Sequence, residues 1–208
     1  MPTIKILVRG YAKEKGGVEF ASSTATLIQE KNVNPRTKDF GVGINIVVDP
    51  GMDRKSLLKG LKREKLSPEK IHYVILTHYH LDHALLTAIF QKAQVWDDSN
   101  VYFWDGKIGE HKGKIPGTDV KLIRTPGHDP FHCSVLVKTK EWGKVVIAGD
   151  LFWWQEGQRH ETDRGELLRH KDPYMKDRAA LAKSREKILR LADYIIPGHG
   201  KMFKVPDK

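Results

Sequence analysis

The 208-residue sequence predicts an α/β fold in which two packed sheets are covered by helices. Three observations lead there. Short apolar runs of strand character recur along the whole chain, only three stretches carry a helical pattern, and the strands come in runs with helices between them instead of alternating strictly as a βαβ barrel would require. The composition, 39% hydrophobic and 30% charged, is that of a globular chain long enough to bury a substantial core. No repeat, low-complexity tract or Ser/Gly linker divides it, so residues 1–208 read as one domain.

The elements follow in order. Ile4–Val8 is too short for the apolar segment of a signal peptide and reads as a strand. Gly10 to Ser23 reads as a surface hairpin or arm, and Ala25–Gln29 and Ile44–Val48 as strands. The turn Asp49-Pro-Gly51 precedes a first helix, Asp53 to Lys65. His72–Thr77 is a strand, and Asp82 sits in the opening turn of a second helix, Asp82 to Ala93. Strands are expected at Gln94–Trp96, Val101–Trp104, Val120–Arg124, Ser134–Val137 and Val145–Ala148. Residues 155–176 are polar and irregular, a kind of loop that is often functional. A third helix spans Asp177 to Ala192, with Leu181, Ile188 and Leu191 as its core stripe, and Tyr194–Ile196 closes the series.

Charge and cysteine content bound the function. The net charge of +10 admits a nucleic-acid partner, because basic surfaces attract phosphate. Lys183, Lys187 and Arg190 share one face of the third helix at i, i+4 and i+7, which equally suits a solvated outer face. A single cysteine, Cys133, excludes an internal disulfide and a Cys-based zinc knuckle; its strand context makes it a small buried apolar residue. No apolar run approaches the roughly 20 residues of a membrane span. The expected compartment is the cytoplasm, without membrane attachment.

Chemistry concentrates in Thr77-His-Tyr-His-Leu-Asp-His83, directly after the apolar run Tyr73–Leu76. Neutral imidazole is a good ligand for zinc and iron, and a carboxylate adds negative charge to hold a divalent ion. Alternate residues of an extended strand end point the same way, which pairs His78 with His80. Asp82 and His83 enter the next helical turn and aim at a neighbouring point, so the spacing implies two metals. The same grammar of a β run ending in a Gly-flanked ligand recurs at Thr125-Pro-Gly-His128, Gly149-Asp150 and Pro197-Gly-His-Gly200. Sheet geometry places such strand ends side by side on one rim.

His78-x-His80-x-Asp82-His83, followed by His128, Asp150 and His199, resembles the metallo-β-lactamase superfamily from about Val47 to Val205. Ala148–Phe152, Lys183–Leu189 and Ala192–Gly200 are most similar to the small subgroup of metallo-β-lactamase domain-containing protein 1. The resemblance implies a four-layer αβ/βα sandwich with the metals at one edge of the two sheets. It implies that His78, His80 and His128 hold a first ion, that Asp82, His83 and His199 hold a second, and that Asp150 bridges them. The ions would be two zinc, with iron or manganese as alternatives. Asp82 and Asp150 are the carboxylates placed at the chemistry. Asp49 either orients the histidine loop or is an ordinary turn residue before Pro50. Phe152 and Trp154 either border the substrate pocket or pack in the core. Tyr79 backs the loop, and His72, His111, His132, His160 and His170 are ordinary packed or surface rings.

Two divalent ions about 3.5–4 Å apart supply hydroxide near neutral pH, so no Ser or Cys nucleophile is required. The leading expectation is a hydrolase that attacks a small-molecule carbonyl in an ester, thioester or lactone. A metal-dependent endoribonuclease, with RNA as partner, is the alternative. An iron-dependent persulfide dioxygenase and a non-catalytic RNA-binding module are further readings.

Overall fold

The computed structural model describes residues 1–31 and 43–206. β1 (Thr3–Val8) is followed by a hairpin of β2 (Tyr11–Lys15) and β3 (Val18–Ser22), then β4 (Ala25–Lys31) and β5 (Gly43–Val48). After α1 (Arg54–Arg63) come β6 (Tyr73–Ile75), the one-turn α2 (Leu81–Ala84), and the short β7 (Gln94–Trp96), β8 (Asn100–Tyr102) and β9 (Ile108–Glu110). The second half contributes β10 (Lys121–Arg124), β11 (Cys133–Thr139), β12 (Gly143–Trp153), α3 (Arg164–Arg169), α4 (Arg178–Leu191), β13 (Tyr194–His199) and β14 (Phe203–Lys204).

One sheet has the order β1-β4-β5-β6-β7-β8-β9 and the other β10-β11-β12-β13-β14. β5, β6 and β7 run parallel, as do β12 and β13, and the remaining pairs are antiparallel. Strand alternation sorts the apolar residues into layers. Ile46 and Val48 of β5 meet Val145 and Ile147 of β12 between the sheets. Val47 turns the other way and packs with Leu27 and Val74 on Leu57 and Leu61 of α1. Val146 and Ala148 face outward onto Leu181, Ile188 and Leu189 of α4. Four layers result, α on β on β on α, in agreement with the expected architecture. Asp53 and Asp177 cap α1 and α4 by accepting from the backbone N–H of Ser56 and Ala180.

Three local expectations are corrected. The helix expected over Asp82 to Ala93 is one α-turn, α2, followed by a 3-10 segment at Leu85–Ile89. Its backbone bonds are taken elsewhere: the Asp82 and His83 carbonyls accept from Ser23 and Gly51, and the Leu86 N–H donates to the Gly51 carbonyl. Residues 155–176 include a short helix, α3, which Asp163 caps. The strand expected to stop at Ala148 continues to Trp153, with register breaks against β13 between Ile147 and Gly149 and between Gly149 and Trp153. Among the described residues, no helix is long and apolar enough to cross a membrane.

Candidate metal centre

The seven candidate ligands converge at one end of both sheets. β6 delivers His78 and His80, α2 delivers Asp82 and His83, the β10–β11 loop delivers His128, and β12 and β13 deliver Asp150 and His199. Ligand atoms of His78, His80, His128 and Asp150 lie within 4.8 Å of one another, and those of Asp82, His83 and His199 form a second such group. Asp150 lies between them. Its Oδ2 is 3.9 Å from His78 Nε2 and 3.6 Å from His128 Nε2, while its Oδ1 is 3.2 Å from His83 Nε2 and 3.7 Å from His199 Nε2. Asp82 Oδ2 approaches His199 Nε2 at 3.1 Å. Gly198 is required here, because a Cβ at that position would collide with Asp150 Oδ1.

The outer ring nitrogens settle the tautomers. His83 Nδ1 donates to Asp49 Oδ2 at 2.9 Å, His128 Nδ1 to Asp172 Oδ2 at 2.6 Å, and His199 Nδ1 to the Tyr11 carbonyl at 3.0 Å. The Thr77 hydroxyl donates to Asp49 Oδ2 at 2.7 Å, so it accepts from His78 Nδ1 at 3.0 Å. Four rings therefore carry their proton on Nδ1 and turn a bare Nε2 inward. His80 instead presents Nδ1, 3.2 Å from His128 Nε2. Buried His78 Nε2, His83 Nε2 and Asp150 Oδ1 have no hydrogen-bond partner among the described residues. Orphaned acceptors around a common point are costly unless a cation satisfies them, so the donor set fits divalent metal.

The electrostatics agree. Burial, aided by His83, holds His78 well below its ordinary range and keeps it neutral. Burial alone would raise Asp150, but the His83 and His199 rings outweigh it and hold the carboxyl well below its usual range. Burial also lowers His83, yet Asp150 and Asp49 overcome this and raise it well above its ordinary value, so the two carboxylates favour positive charge at its Nε2, either a second proton or the cation that would replace it.

Asp49 fills both roles offered for it. It is a turn residue with φ of 48°, and its carboxylate also takes the Thr77 N–H at 2.8 Å, the Thr77 hydroxyl and His83. Asp tolerates this left-handed backbone better than most residues. Tyr79 braces the histidine loop through its hydroxyl to Asp97, which also accepts from Tyr102 at 2.6 Å. His132 stacks on His78 with ring centres 5.2 Å apart and shares a 3.0 Å hydrogen bond with the Thr125 hydroxyl; burial drives its pKa to about 3. Neither it nor His72, His111, His160 or His170 joins a ligand group. Cys133 is buried and its thiol is pushed up by burial, which leaves it no nucleophilic role.

The centre opens into a cavity of about 710 Å³ with His80, Asp82, Asp150 and His199 in its walls. The β2–β3 hairpin forms another wall through Tyr11 to Glu14 and Glu19 to Ala21, joined by Met52, Leu81, Trp153 and Tyr174. The expectation that Phe152 and Trp154 border the pocket is corrected. Both rings are buried against Phe203 in the layer under α4. The break in β12 register after Gly149 turns Trp153 toward the site in their place. Tyr174 and Asp172 were not legible as site residues. Asp172 precedes Pro173 in a polar loop, which marks a turn but gives no sign that it reaches His128, 44 residues earlier.

Comparison with known proteins agrees with this geometry. The sequence profile of the Metallo-beta-lactamase superfamily matches residues 40–199. The chain belongs to that superfamily. Metallo-beta-lactamase domain-containing protein 1 of Xenopus laevis is 32% identical over 98% of this chain and 82% of its own length. An N-acyl homoserine lactonase from a Bacillus species is 31% identical over 49% of this chain and 47% of its own. A Thermotoga maritima protein assigned to the metallo-beta-lactamases superposes with a TM-score of 0.70 at 20% identity, covering 98% of this chain and 99% of that one. Superfamily membership and the His/Asp cluster make the protein a metal-dependent hydrolase of this superfamily.

Proposed function

We propose that the protein is a dinuclear-zinc hydrolase of a small carbonyl substrate, an ester, thioester or lactone. The observation that carries the reading is Asp150, one carboxylate whose two oxygens face two separate ligand groups, as a two-ion centre requires. A set of five imidazoles and two carboxylates, without thiolate, suits zinc. When bound, two such ions supply hydroxide near neutral pH and polarise the bond under attack.

The chain's own residues do the rest. His78, His80 and His128 would hold one ion, Asp82, His83 and His199 the other, and Asp150 both. Asp82 is the more exposed of the two carboxylates, with its side chain 22% accessible, and is placed to accept a proton from the cavity. Trp153 and Tyr174 would line the acyl portion of a substrate, with Phe20, Met52 and Leu81 adding apolar surface at the mouth.

The charge of the cavity favours a carbonyl over a phosphodiester. Glu14, Glu19 and Asp53 line it, and its basic residue, Lys13, pairs with Glu156 at 3.1 Å. The lactonase relative, similar over half of this chain, points the same way. Ribonuclease activity is the second reading, favoured by the net charge of +10, but Lys183, Lys187 and Arg190 line a different depression on α4.

Elemental analysis coupled to a substrate panel tests the proposal. Two zinc per chain with turnover of an ester, thioester or lactone is the expected result. One iron per chain with oxygen uptake on a persulfide would overturn it. RNA cleavage abolished by His80→Ala would move the assignment to the second reading.

A further inference from the structure

We propose that Asp172 is a positioning residue that sets metal affinity in the His78–His80–His128 half of the centre and ties that half to the cavity wall; this rests on the metal-centre reading above. The Asp172 carboxylate is fully buried and each of its oxygens has one task. Oδ2 accepts from His128 Nδ1 at 2.6 Å, and Oδ1 accepts from the backbone N–H of Tyr174 at 3.0 Å. Tyr174 lines the cavity and packs on Trp153 with ring centres 5.8 Å apart. One side chain therefore touches both a candidate ligand and the residue that would meet substrate.

The arch that carries Asp172 is itself held from beneath. Buried Arg185 of α4 donates through Nη1 to the His170 carbonyl at 2.6 Å and through Nε to the Leu151 carbonyl at 2.8 Å. The His170 ring meets the Trp153 carbonyl at 2.5 Å. On the far side, the Lys176 and Asp177 N–H groups both donate to the Gly127 carbonyl at 2.9 Å, next to His128. The arch, the β12 end that carries Asp150 and the His128 loop thus form one bonded unit.

The chemistry of a carboxylate explains why Asp is needed. It only accepts, so it compels His128 to keep its proton on Nδ1 and leaves Nε2 bare for metal. An amide of the same shape cannot serve both neighbours. If its oxygen takes the Tyr174 N–H, its NH2 faces His128 Nδ1 and drives the proton onto Nε2. If it flips, the NH2 opposes the Tyr174 N–H and the wall moves. Alanine removes the acceptor without imposing the wrong tautomer.

Two variants separate positioning from mere support. Zinc is titrated into metal-free wild type, Asp172→Asn and Asp172→Ala against a chromophoric chelator, and the cobalt absorption bands and metal-free melting temperatures are recorded alongside. The expected result is that Asp172→Asn weakens one of two metal equivalents by about 10–100-fold. Asp172→Ala should weaken it less, although Ala should lower the metal-free melting temperature more. The cobalt bands of the affected equivalent should fade while the others persist. A purely structural role predicts the reverse order, with Ala worse than the isosteric Asn in both assays. That order, equal loss of both equivalents, or wild-type affinity in Asp172→Asn would overturn the inference. Weakened uptake in Asp172→Asn with no turnover of any carbonyl substrate would support it while removing the hydrolase reading.

Discussion

The floor of the cavity and its mouth are built on opposite plans. On the floor, His78, His83, His128, Asp150 and His199 are buried, and the four rings are each locked through Nδ1 by a hydroxyl, carboxylate or carbonyl. At the mouth, Phe20, Met52, Leu81 and Tyr174 are 45%, 43%, 67% and 51% exposed and come from four separate chain segments. A preorganised floor suits chemistry common to many substrates, because charges held in place need no reorganisation during reaction. An exposed mouth can vary without disturbing it. Substitutions on the floor should therefore change metal content and turnover together, whereas those at the mouth should change substrate preference alone.

The largest effect is expected at Asp150. Asp150→Ala removes the carboxylate whose two oxygens serve the two ligand groups and should cut kcat/KM by about a thousandfold or more, roughly 4 kcal/mol of transition-state stabilisation. Metal analysis should show the loss of at least one equivalent. Full metal content with near-normal turnover would break the division between floor and mouth. Stripping metal with a chelator tests the same point through stability. An ion held at 100 times its dissociation constant contributes about 2.7 kcal/mol, so the melting temperature should fall on removal and recover when zinc is returned.

Next is Asp49, which braces His83 directly and His78 through the Thr77 hydroxyl. Asp49→Asn keeps a residue that tolerates φ of 48° but removes one of the acceptors serving Thr77 and His83. Metal affinity should drop by about 10–100-fold, at the His83 site above all. Calorimetric titration would measure it, and an unchanged isotherm would count against the brace.

The same division decides what was legible in the sequence. The ligands could be read because His78, His80, Asp82 and His83 are consecutive, and because the strand-then-Gly grammar repeats at His128, Asp150 and His199. The layers were legible through alternation, as Ile46, Val47 and Val48 sort themselves to opposite faces. Features created by contacts between distant segments were hidden. Phe152 and Trp154 stand out as pocket walls or core residues because they closely follow Asp150, but a break in the pairing of β12 with β13 puts Trp153 at the site. The second helix read as continuous, since nothing local reveals that Ser23 and Gly51 take its hydrogen bonds. Gly10 to Ser23 read as a surface hairpin, and only the fold lays its Tyr11 carbonyl against His199.

A smaller effect is expected at Tyr174. Tyr174→Ala removes an aromatic wall without touching a ligand, so KM should rise for substrates with an apolar acyl group while kcat and metal content stay level. Loss of one large contact is worth about 1–2 kcal/mol, or roughly 5–30-fold in KM. An equal fall in kcat would place Tyr174 with the floor.

The smallest and most specific effect belongs to the hairpin charges. Glu14 and Glu19 stand directly opposite each other in the β2–β3 register, both beside the cavity, and like charges so placed destabilise a hairpin. Glu19→Lys would replace that repulsion with an opposite-charge pair, so stability should hold or rise slightly. If the acidic mouth selects against anions, the variant should turn over a carboxylate-bearing ester faster relative to its neutral analogue, with metal content unchanged. Both carboxylates are exposed, so the shift should be modest at low salt. It should vanish near 1 M salt, where the Debye length is about 3 Å. A preference that survived high salt would mean that shape, not charge, sorts substrates at the mouth, and the electrostatic case against a phosphodiester would weaken with it.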